Sequence, residues 1–248
     1  KCYRKVLAAR PNHPDAHGNL GNTLARQNRL EEAEESINCS LSINSKKIDA
    51  LTNLGGVLQA QGRLTEAFEK FEESLKLDPN YSDGHWNRGL ARLLSGDLLG
   101  GFEDYEWRWQ LPEFTDRHRK IPLWEGQSLM GKSILVHSEQ GYGDTIQFVR
   151  YAPMLANQGA RVLIETHKPL TRLLGKVEGV QQVITRGRGS VAADFQVPIM
   201  SLPHRFNTTL DQIPANVPYL PVSAASVIDV DTVAKATIGI AWAGRSTH

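Results

Sequence analysis

Two stretches in the N-terminal half of the chain align with each other without a gap. The first, NLGNTLARQNRLEEAEESI, runs from Asn19 to Ile37, and the second, NLGGVLQAQGRLTEAFEKF, runs from Asn53 to Phe71. Their matching residues, each separated by 34 positions, include Leu20/Leu54, Gly21/Gly55, Arg29/Arg63, Leu30/Leu64 and Ala33/Ala67. A fixed period of this length predicts an array of similar helical units stacked along the chain.

A period of 34 residues is typical of tetratricopeptide repeats, in which each unit is a pair of amphipathic helices. The small residues Gly21, Gly55, Ala33 and Ala67 allow the two helices of a unit to approach closely. Ile37 and Phe71 are expected to fill the space between units. Pro79 predicts the end of a second helix, because proline cannot continue a helix.

The period divides residues 1–120 into a partial repeat at 1–13 and three repeats at about 14–47, 48–81 and 82–115. The third repeat ends with the aromatic run Tyr105 to Trp109. Trp107 and Trp109 are expected to be buried against the next domain, with a sugar-stacking platform as the alternative. The concave groove of such an array binds extended peptides, which predicts a peptide or protein partner.

The composition limits the class of protein. The chain has 248 residues, of which 40% are hydrophobic and 22% charged, with a net charge of +1. It carries no concentrated basic field for nucleic acid, and no apolar run long enough to span a membrane. Cys2 and Cys39 are too few for a disulfide framework, which favours a reducing, cytoplasmic location. The chain is expected to be truncated at both ends, since it starts at Lys1 and stops shortly after an apolar run.

From Ser133 onward, apolar runs of strand type alternate with runs of helix type. Strands are expected at 133–137, 160–166 and 181–185, and helices at 145–158 and 169–177; shorter apolar runs follow at 194–200, 218–222 and 236–244. Strands that alternate with helices indicate βαβ units and a mainly parallel sheet. We therefore expect a Rossmann-like α/β domain over residues 121–222.

Two glycine-bearing segments within 124–144 indicate different chemistries. Gly126 to Ser133 matches the phosphate-loop pattern G-x-x-x-x-G-K-[ST], but it leads into an expected strand and not into a helix. We therefore predict that Gly131-Lys132 form a turn. Gly141 to Asp144 lies between the first strand and the first helix, at the edge of the sheet where open α/β folds bind ligands.

Asp144 has two possible roles. In the sequence Asp144-Thr145-Ile146-Gln147, it could cap the following helix, with Gln147 completing a capping box. It could also act as a general base toward a substrate hydroxyl. His137, Glu139, Gln140 and Arg150 are polar residues that could line the same crevice, although His137 could equally be a hydrogen-bonded histidine at a strand end.

The order of these features resembles a known combination. Repeats, the Tyr-Glu-Trp-Arg-Trp run, Pro122-Leu123-Trp124, the stretch ILVHSEQGYGDTIQFVRYAPML and a late GIAWAG are similar to bacterial repeat proteins with a C-terminal region of glycosyltransferase family 9, the heptosyltransferases. The resemblance implies the N-terminal half of a GT-B fold, and it maps the family's catalytic base onto Asp144. The acceptor loop would comprise Glu139, Gln140, Gly141, Gly143, Thr145 and Gln147.

The same resemblance implies an inverting transfer from a nucleotide sugar to a hydroxyl of a glycan or protein, with no metal and no cofactor. Residues 223–236 would be a linker and 237–248 the start of a truncated second half, in which Gly244, Arg245 and His248 would lie near the donor phosphates. Without the rest of that half the fragment is expected to be inactive. The alternative is a tetratricopeptide scaffold for protein interaction that carries a degenerate α/β domain.

Overall fold

The structure, a computed structural model, describes residues 2–187 and 191–220. The predicted linker, the start of a second half, and the candidate donor residues Gly244, Arg245 and His248 lie outside the described residues. No helix of the described part is both long and apolar enough to cross a membrane.

The first part of the chain is a series of antiparallel helix pairs. A single helix, α1 (Cys2–Ala9), precedes three pairs, which are α2 (Pro14–Ala25) with α3 (Leu30–Ile43), α4 (Ile48–Ala60) with α5 (Leu64–Leu77), and α6 (Ser82–Ser95) with α7 (Leu98–Tyr105). A short 3-10 helix, Glu106–Gln110, continues from α7. Helix α5 ends two residues before Pro79, as the sequence predicts. Helix α6 ends at Gly96, which adopts the left-handed conformation with φ of 90°.

Glycines at the same place in each unit allow the paired helices to touch. A Cβ atom at Gly21 would lie 2.4 Å from the Ile37 side chain, and one at Gly55 would lie 2.5 Å from the Phe71 ring. Ile37 and Phe71 are fully buried. Each therefore packs between the two helices of its own unit, and the expectation that they also fill the space between units stays a prediction.

Neighbouring units stack mainly through the second helix of one unit and the first helix of the next, α3 with α4 and α5 with α6. Helix α4 contacts both α2 and α6, whereas the second helices of neighbouring units make fewer contacts with one another. Because the first helices of neighbouring units lie closer to one another than the second helices do, the first helices line the concave side of the array.

The third unit replaces part of this apolar packing with ions. Arg88 and Arg92 occupy the positions of Leu54 and Leu58 in the preceding unit. Asp104, which is 3% exposed, accepts hydrogen bonds from Arg88 at 2.7 and 2.8 Å and from Arg92 at 2.9 Å. Burial raises the pKa of Asp104, but the bonds from Arg88 and His85 outweigh that effect and hold its pKa below the ordinary value. The unit is therefore held together by an ionised carboxylate.

The second part is a small parallel sheet with helices. Its strands are β1 (Ser133–His137), β2 (Arg161–Thr166), β3 (Val180–Thr185) and β4 (Phe195–Pro198), in the spatial order β3-β2-β1-β4. The helices are α8 (Tyr142–Phe148), α9 (Ala152–Asn157), α10 (Thr171–Leu174) and α11 (Leu202–Arg205), with 3-10 turns at Val149–Tyr151, Lys168–Leu170, Ile199–Ser201 and Leu210–Gln212. A mixed helical and parallel-sheet region was predicted, and it is confirmed at this level.

Two details differ from the predicted pattern. The helix expected over 145–158 starts at Tyr142 and is interrupted by a 3-10 turn at Val149–Tyr151. Pro153 explains the interruption, because it lacks the N–H group that would bond to the carbonyl of Val149. Residues 218–220, the described part of an expected apolar run, form no strand.

One apolar cluster joins the two parts. Trp86, Leu90, Leu93 and Tyr105 of the third repeat pack against a core that includes Ile134, Val136, Leu155, Ile164 and Val197 of the α/β part. The ring of Phe102 also meets that of Phe148 edge to face, with centroids 6.1 Å apart. The last repeat is thus packed on the sheet region as part of the same core.

Candidate functional site

The carboxyl ends of β1 and β4 form the point where the strand order reverses. The chain runs from β1 to β2 to β3 and then returns to place β4 on the other side of β1. In open α/β sheets the crevice beyond such a reversal is the usual ligand site. Here that crevice lies between Ser138–Gln140, after β1, and the turn Ile199–Ser201, after β4.

A side chain from the end of the repeat array fills this crevice. Arg108 is fully buried and donates to both carboxylate oxygens of Glu139, at 2.8 and 3.0 Å. It also donates to Glu106 at 2.6 Å and to the hydroxyl of Ser201 at 2.7 Å. The backbone N–H of Met200 donates to Glu139 at 3.1 Å. The repeat array therefore reaches into the reversal point itself.

Burial disfavours the charged forms of Arg108 and Glu139, whereas the hydrogen bonds between them favour those forms. Burial alone would lower the pKa of Arg108, but the adjacent Glu139 and Glu106 raise it above the ordinary value. Burial also raises the pKa of Glu139, against the effect of Arg108. The two parallel hydrogen bonds and the Met200 N–H all favour the carboxylate form, so we assign an ion pair.

Asp144 caps helix α8, but from a different position than the sequence suggested. Its carboxylate accepts the backbone N–H of Gly141 at 2.9 Å, which places Gly141 at the N-cap and Asp144 in the third helical position. The expected capping box with Asp144 at the N-cap and Gln147 reaching back is therefore wrong. Glycine has no side chain to signal an N-cap, so the helix start was placed three residues too late.

The other residues of the predicted acceptor loop lie in different environments. Thr145 is buried and donates to the carbonyl of Gly141 at 3.2 Å, and Gln140 donates to the hydroxyl of Tyr105 at 3.3 Å. Gly143 and Gln147 are exposed, and Gly143 has open space where a Cβ would lie. Arg150 donates to the carbonyl of Pro214 at 2.8 Å.

The phosphate-loop pattern forms no phosphate site. Gly126 and Gly131 both have positive φ, at 104° and 70°, and Lys132 directly precedes β1. The Lys132 ammonium lies 3.6 Å from the Asp194 carboxylate. The predicted turn into a strand is confirmed.

A cavity of about 280 Å³ opens beside the filled crevice. It lies between the carboxyl edge of the sheet and the segment that follows the repeats. Its lining residues are Trp109, Glu113, Phe114, Thr115, Arg117, His137, Glu139, Gln140 and Arg186. Of these, the sequence indicated His137, Glu139 and Gln140 as crevice residues and raised Trp109 as a possible platform. Asp144 is not among them.

Arg117 and His118 close one side of this edge, and sequence reasoning missed both. Arg117 donates to the carbonyl of Ser138 at 2.7 Å and to Glu165 at 3.1 Å. His118 Nε2 lies 2.9 Å from the other oxygen of Glu165, at ion-pair distance but without hydrogen-bond alignment. In the sequence, these two residues are marked only by the basic run from Arg117 to Lys120, and the spacing of that run matches no known motif.

The two tryptophans at the end of the repeats differ in their surroundings. Trp107 stacks on the His85 ring, with centroids 3.9 Å apart, inside the array. Trp109 packs edge to face with Phe114 at 6.3 Å, and the Arg108 guanidinium lies 4.6 Å from its centroid. Only Trp109 reaches the cavity.

Comparisons with known proteins agree with the helix pairs. A tetratricopeptide-repeat family model matches residues 2–35, and a second model, described as a TPR repeat, matches residues 55–96. The N-terminal half contains tetratricopeptide repeats. Repeats of this family generally act in protein–protein interaction.

Solved structures are similar to part of the chain. MamA is 24% identical, with 44% of this chain and 64% of that chain covered and a TM-score of 0.39. PilF of Pseudomonas aeruginosa is also 24% identical, with 44% and 50% covered and a TM-score of 0.39. The first tetratricopeptide domain of Spaghetti (RPAP3), bound to an HSP90 peptide, is 19% identical, with 40% and 79% covered and a TM-score of 0.37. No curated protein sequence matches the chain. The chain thus spans less than two thirds of the length of MamA and PilF.

Proposed function

We propose that the repeat array binds an extended segment of a partner protein along its concave side. The observation that supports this most is an asparagine at the equivalent position of the first helix in each of the three units. Asn19, Asn53 and Asn87 are spaced by 34 positions on the first helices and are exposed or half-buried. A side-chain amide can both donate to and accept from a peptide backbone, which suits an extended partner of any sequence.

A second set of residues with the same spacing indicates the charge of the proposed partner. Asp15, Asp49 and Asp83 precede the asparagines by four positions, so each aspartate lies on the same helix face as its asparagine. All three are exposed. Lys47 contacts Asp15 at 2.6 Å and Asp49 at 3.0 Å, which leaves the strip acidic overall. We therefore propose a basic extended segment as the ligand.

A peptide-display screen with the whole chain tests this function. The triple variant Asn19→Ala/Asn53→Ala/Asn87→Ala is expected to weaken the selected peptides by at least about tenfold. The chain offers a matched control in Glu35, Glu69 and Glu103, which share the 34-residue spacing and are exposed on the second helices. Their triple alanine variant should bind normally. Equal loss in both variants, or selection of acidic peptides, would contradict the proposal.

A second candidate function is transfer of a sugar to a hydroxyl group, as in the heptosyltransferases that the sequence resembles. Two observations favour it: the strand order β3-β2-β1-β4 matches one half of a doubly wound fold, and the Gly141–Asp144 loop follows β1 at the carboxyl edge. In this proposal Asp144 removes the proton from the acceptor hydroxyl.

The two roles of Asp144 can be separated by substitution in the full-length protein. Asp144→Asn retains an oxygen that accepts the Gly141 N–H but can no longer act as a base. We expect it to lower release of nucleoside diphosphate from ADP-, GDP- or UDP-sugars by about 100-fold or more. Full turnover by this variant would mean that Asp144 only caps helix α8 and is not the base.

A further inference from the structure

His137, which lines the cavity beside the reversal point, has a buried ring nitrogen without a hydrogen-bond partner among the described residues. His137 is 1% exposed, and its Nε2 lies 2.8 Å from the side-chain oxygen of Gln196. The amide nitrogen of Gln196 is directed at Asp116, at 3.4 Å, which fixes the orientation of the amide. Nε2 must therefore carry the proton and donate it, so that Nδ1 has the lone pair.

Nothing in the described residues 2–187 and 191–220 donates to that lone pair. Nδ1 of His137 is buried and has no hydrogen-bond partner there, and the same holds for the hydroxyl groups of Ser138 and Thr166. Ser138 directly follows β1, and Thr166 ends the adjacent strand β2. Buried polar atoms are usually paired, and of these three residues only His137 lines the cavity, so His137 is the residue that points to a polar ligand there.

Two guanidinium groups line this cavity. Arg117, at one wall, contacts Glu165, which is also beside His118. Arg186 comes directly after β3 at another wall, and within the described ranges it has no carboxylate at ion-pair distance. Its Nη1 lies 3.2 Å from His167. Burial lowers the pKa of Arg186, and the nearby charge of Arg117 lowers it further.

The buried carboxylates near these guanidinium groups are paired. Glu139 accepts two hydrogen bonds from Arg108, which also contacts Glu106, and Glu165 is paired with Arg117. Glu113 is exposed, on the segment that follows the repeats. Arg186 is thus the guanidinium of the cavity lining that has no carboxylate at ion-pair distance in the described ranges, and it is the group that pairs with an entering anion.

We propose that this cavity binds a small hydroxylated anion, of the size of one sugar ring with one phosphate. A ligand hydroxyl donates to Nδ1 of His137, the anionic oxygens accept from Arg186 and Arg117, and the ring of Trp109 provides an apolar wall. A volume of about 280 Å³ is close to the lower limit for ligand sites, which suits a small ligand. The proposal does not depend on peptide binding by the repeats.

Titration calorimetry of the whole chain with glucose 1-phosphate, glucose and inorganic phosphate tests this assignment. We expect glucose 1-phosphate to bind with a dissociation constant in the millimolar range or below, and more tightly than inorganic phosphate or glucose. Arg186→Gln should weaken glucose 1-phosphate by at least about tenfold. Arg161→Gln is the matched control, because Arg161 is exposed at the start of β2, on the opposite edge of the sheet.

His137→Gln tests the hydroxyl contact separately. Its amide nitrogen can still donate to Gln196, while the acceptor at the Nδ1 position is lost. The affinity for glucose 1-phosphate should fall by about tenfold, and the affinity for inorganic phosphate should be unaffected. If this variant does not fold, the ¹⁵N shift of His137 Nδ1 in the wild-type chain should change when glucose 1-phosphate is added. Absence of binding of both phosphates at about 10 mM, or equal binding by the wild type and Arg186→Gln, would overturn the proposal.

Discussion

Arg108 and Glu139 are joined by two hydrogen bonds, of 2.8 and 3.0 Å, between the end of the repeat array and the loop after the first strand. The guanidinium carbon also lies 4.6 Å from the ring centroid of Tyr105 and 4.6 Å from that of Trp109. This buried contact fixes the array on the sheet. A segment held on the concave side of the repeats would therefore keep a constant position relative to the cavity beside Trp109.

Removal of Arg108 should destabilise the whole chain. Arg108→Met leaves the buried Glu139 carboxylate without its cation, for which we expect a loss of about 3–5 kcal/mol in unfolding free energy. The measurement is urea denaturation followed by circular dichroism. Arg63→Met is the control, because Arg63 pairs with Glu66 on the surface, where ion pairs contribute little. Similar midpoints for the two variants would contradict a structural role for the buried pair.

The sequence predicted the repeats because their period is carried by many residues at once. Gly55 and Phe71 are an example, since both recur in equivalent form 34 positions away, at Gly21 and Ile37. The strand β1 was also predicted at its observed bounds, because a short β-branched run between turns has few other solutions. Local pattern thus determined these elements.

The contacts of the candidate site could not be predicted in the same way. Arg108 and Glu139 are 31 positions apart, and no periodicity links them. The acceptor role of His137 depends on Gln196 and Asp116, which come from a distant strand and from the segment after the repeats. The break in the first helix of the α/β part was visible in the sequence, at Pro153, and was overlooked.

Two adjacent glycines in α4 should respond oppositely to alanine. A Cβ at Gly55 would lie within 2.9 Å of three atoms of the buried Phe71 ring, whereas Gly56 has nothing within 4 Å. Gly55→Ala should lower the unfolding free energy by about 1–3 kcal/mol, since Phe71 cannot move. Gly56→Ala should raise it by up to about 1 kcal/mol through helix propensity. Thermal denaturation of the two variants checks this, and the same sign for both would contradict the packing.

Asp104 should be essential to the third repeat. Asp104→Asn keeps the size of the side chain but removes the negative charge that faces Arg88, Arg92 and His85. Because these cations would lose their buried partner, we expect a loss of about 3–5 kcal/mol in unfolding free energy. Glu103→Gln, at the exposed neighbouring position of α7, is the control and should unfold like the wild type. Hydrogen exchange of the α6 and α7 amides shows whether the loss is confined to the third repeat. Unchanged protection of these amides in Asp104→Asn would contradict the prediction.

His137 should make stability fall in mild acid. Burial lowers the pKa of His137 to about 3, against an ordinary value of 6.5, so between these values the unfolded chain binds a proton that the folded chain does not. This contribution to stability is complete above pH 6.5 and is lost as the pH falls toward 3. Between pH 7 and pH 5 it amounts to about 2 kcal/mol, before most carboxylates titrate. In His137→Gln the unfolding free energy, measured by urea denaturation at both pH values, should fall by about that much less than in the wild type. An identical fall in the two proteins would mean that burial does not lower the pKa of His137 in the folded state.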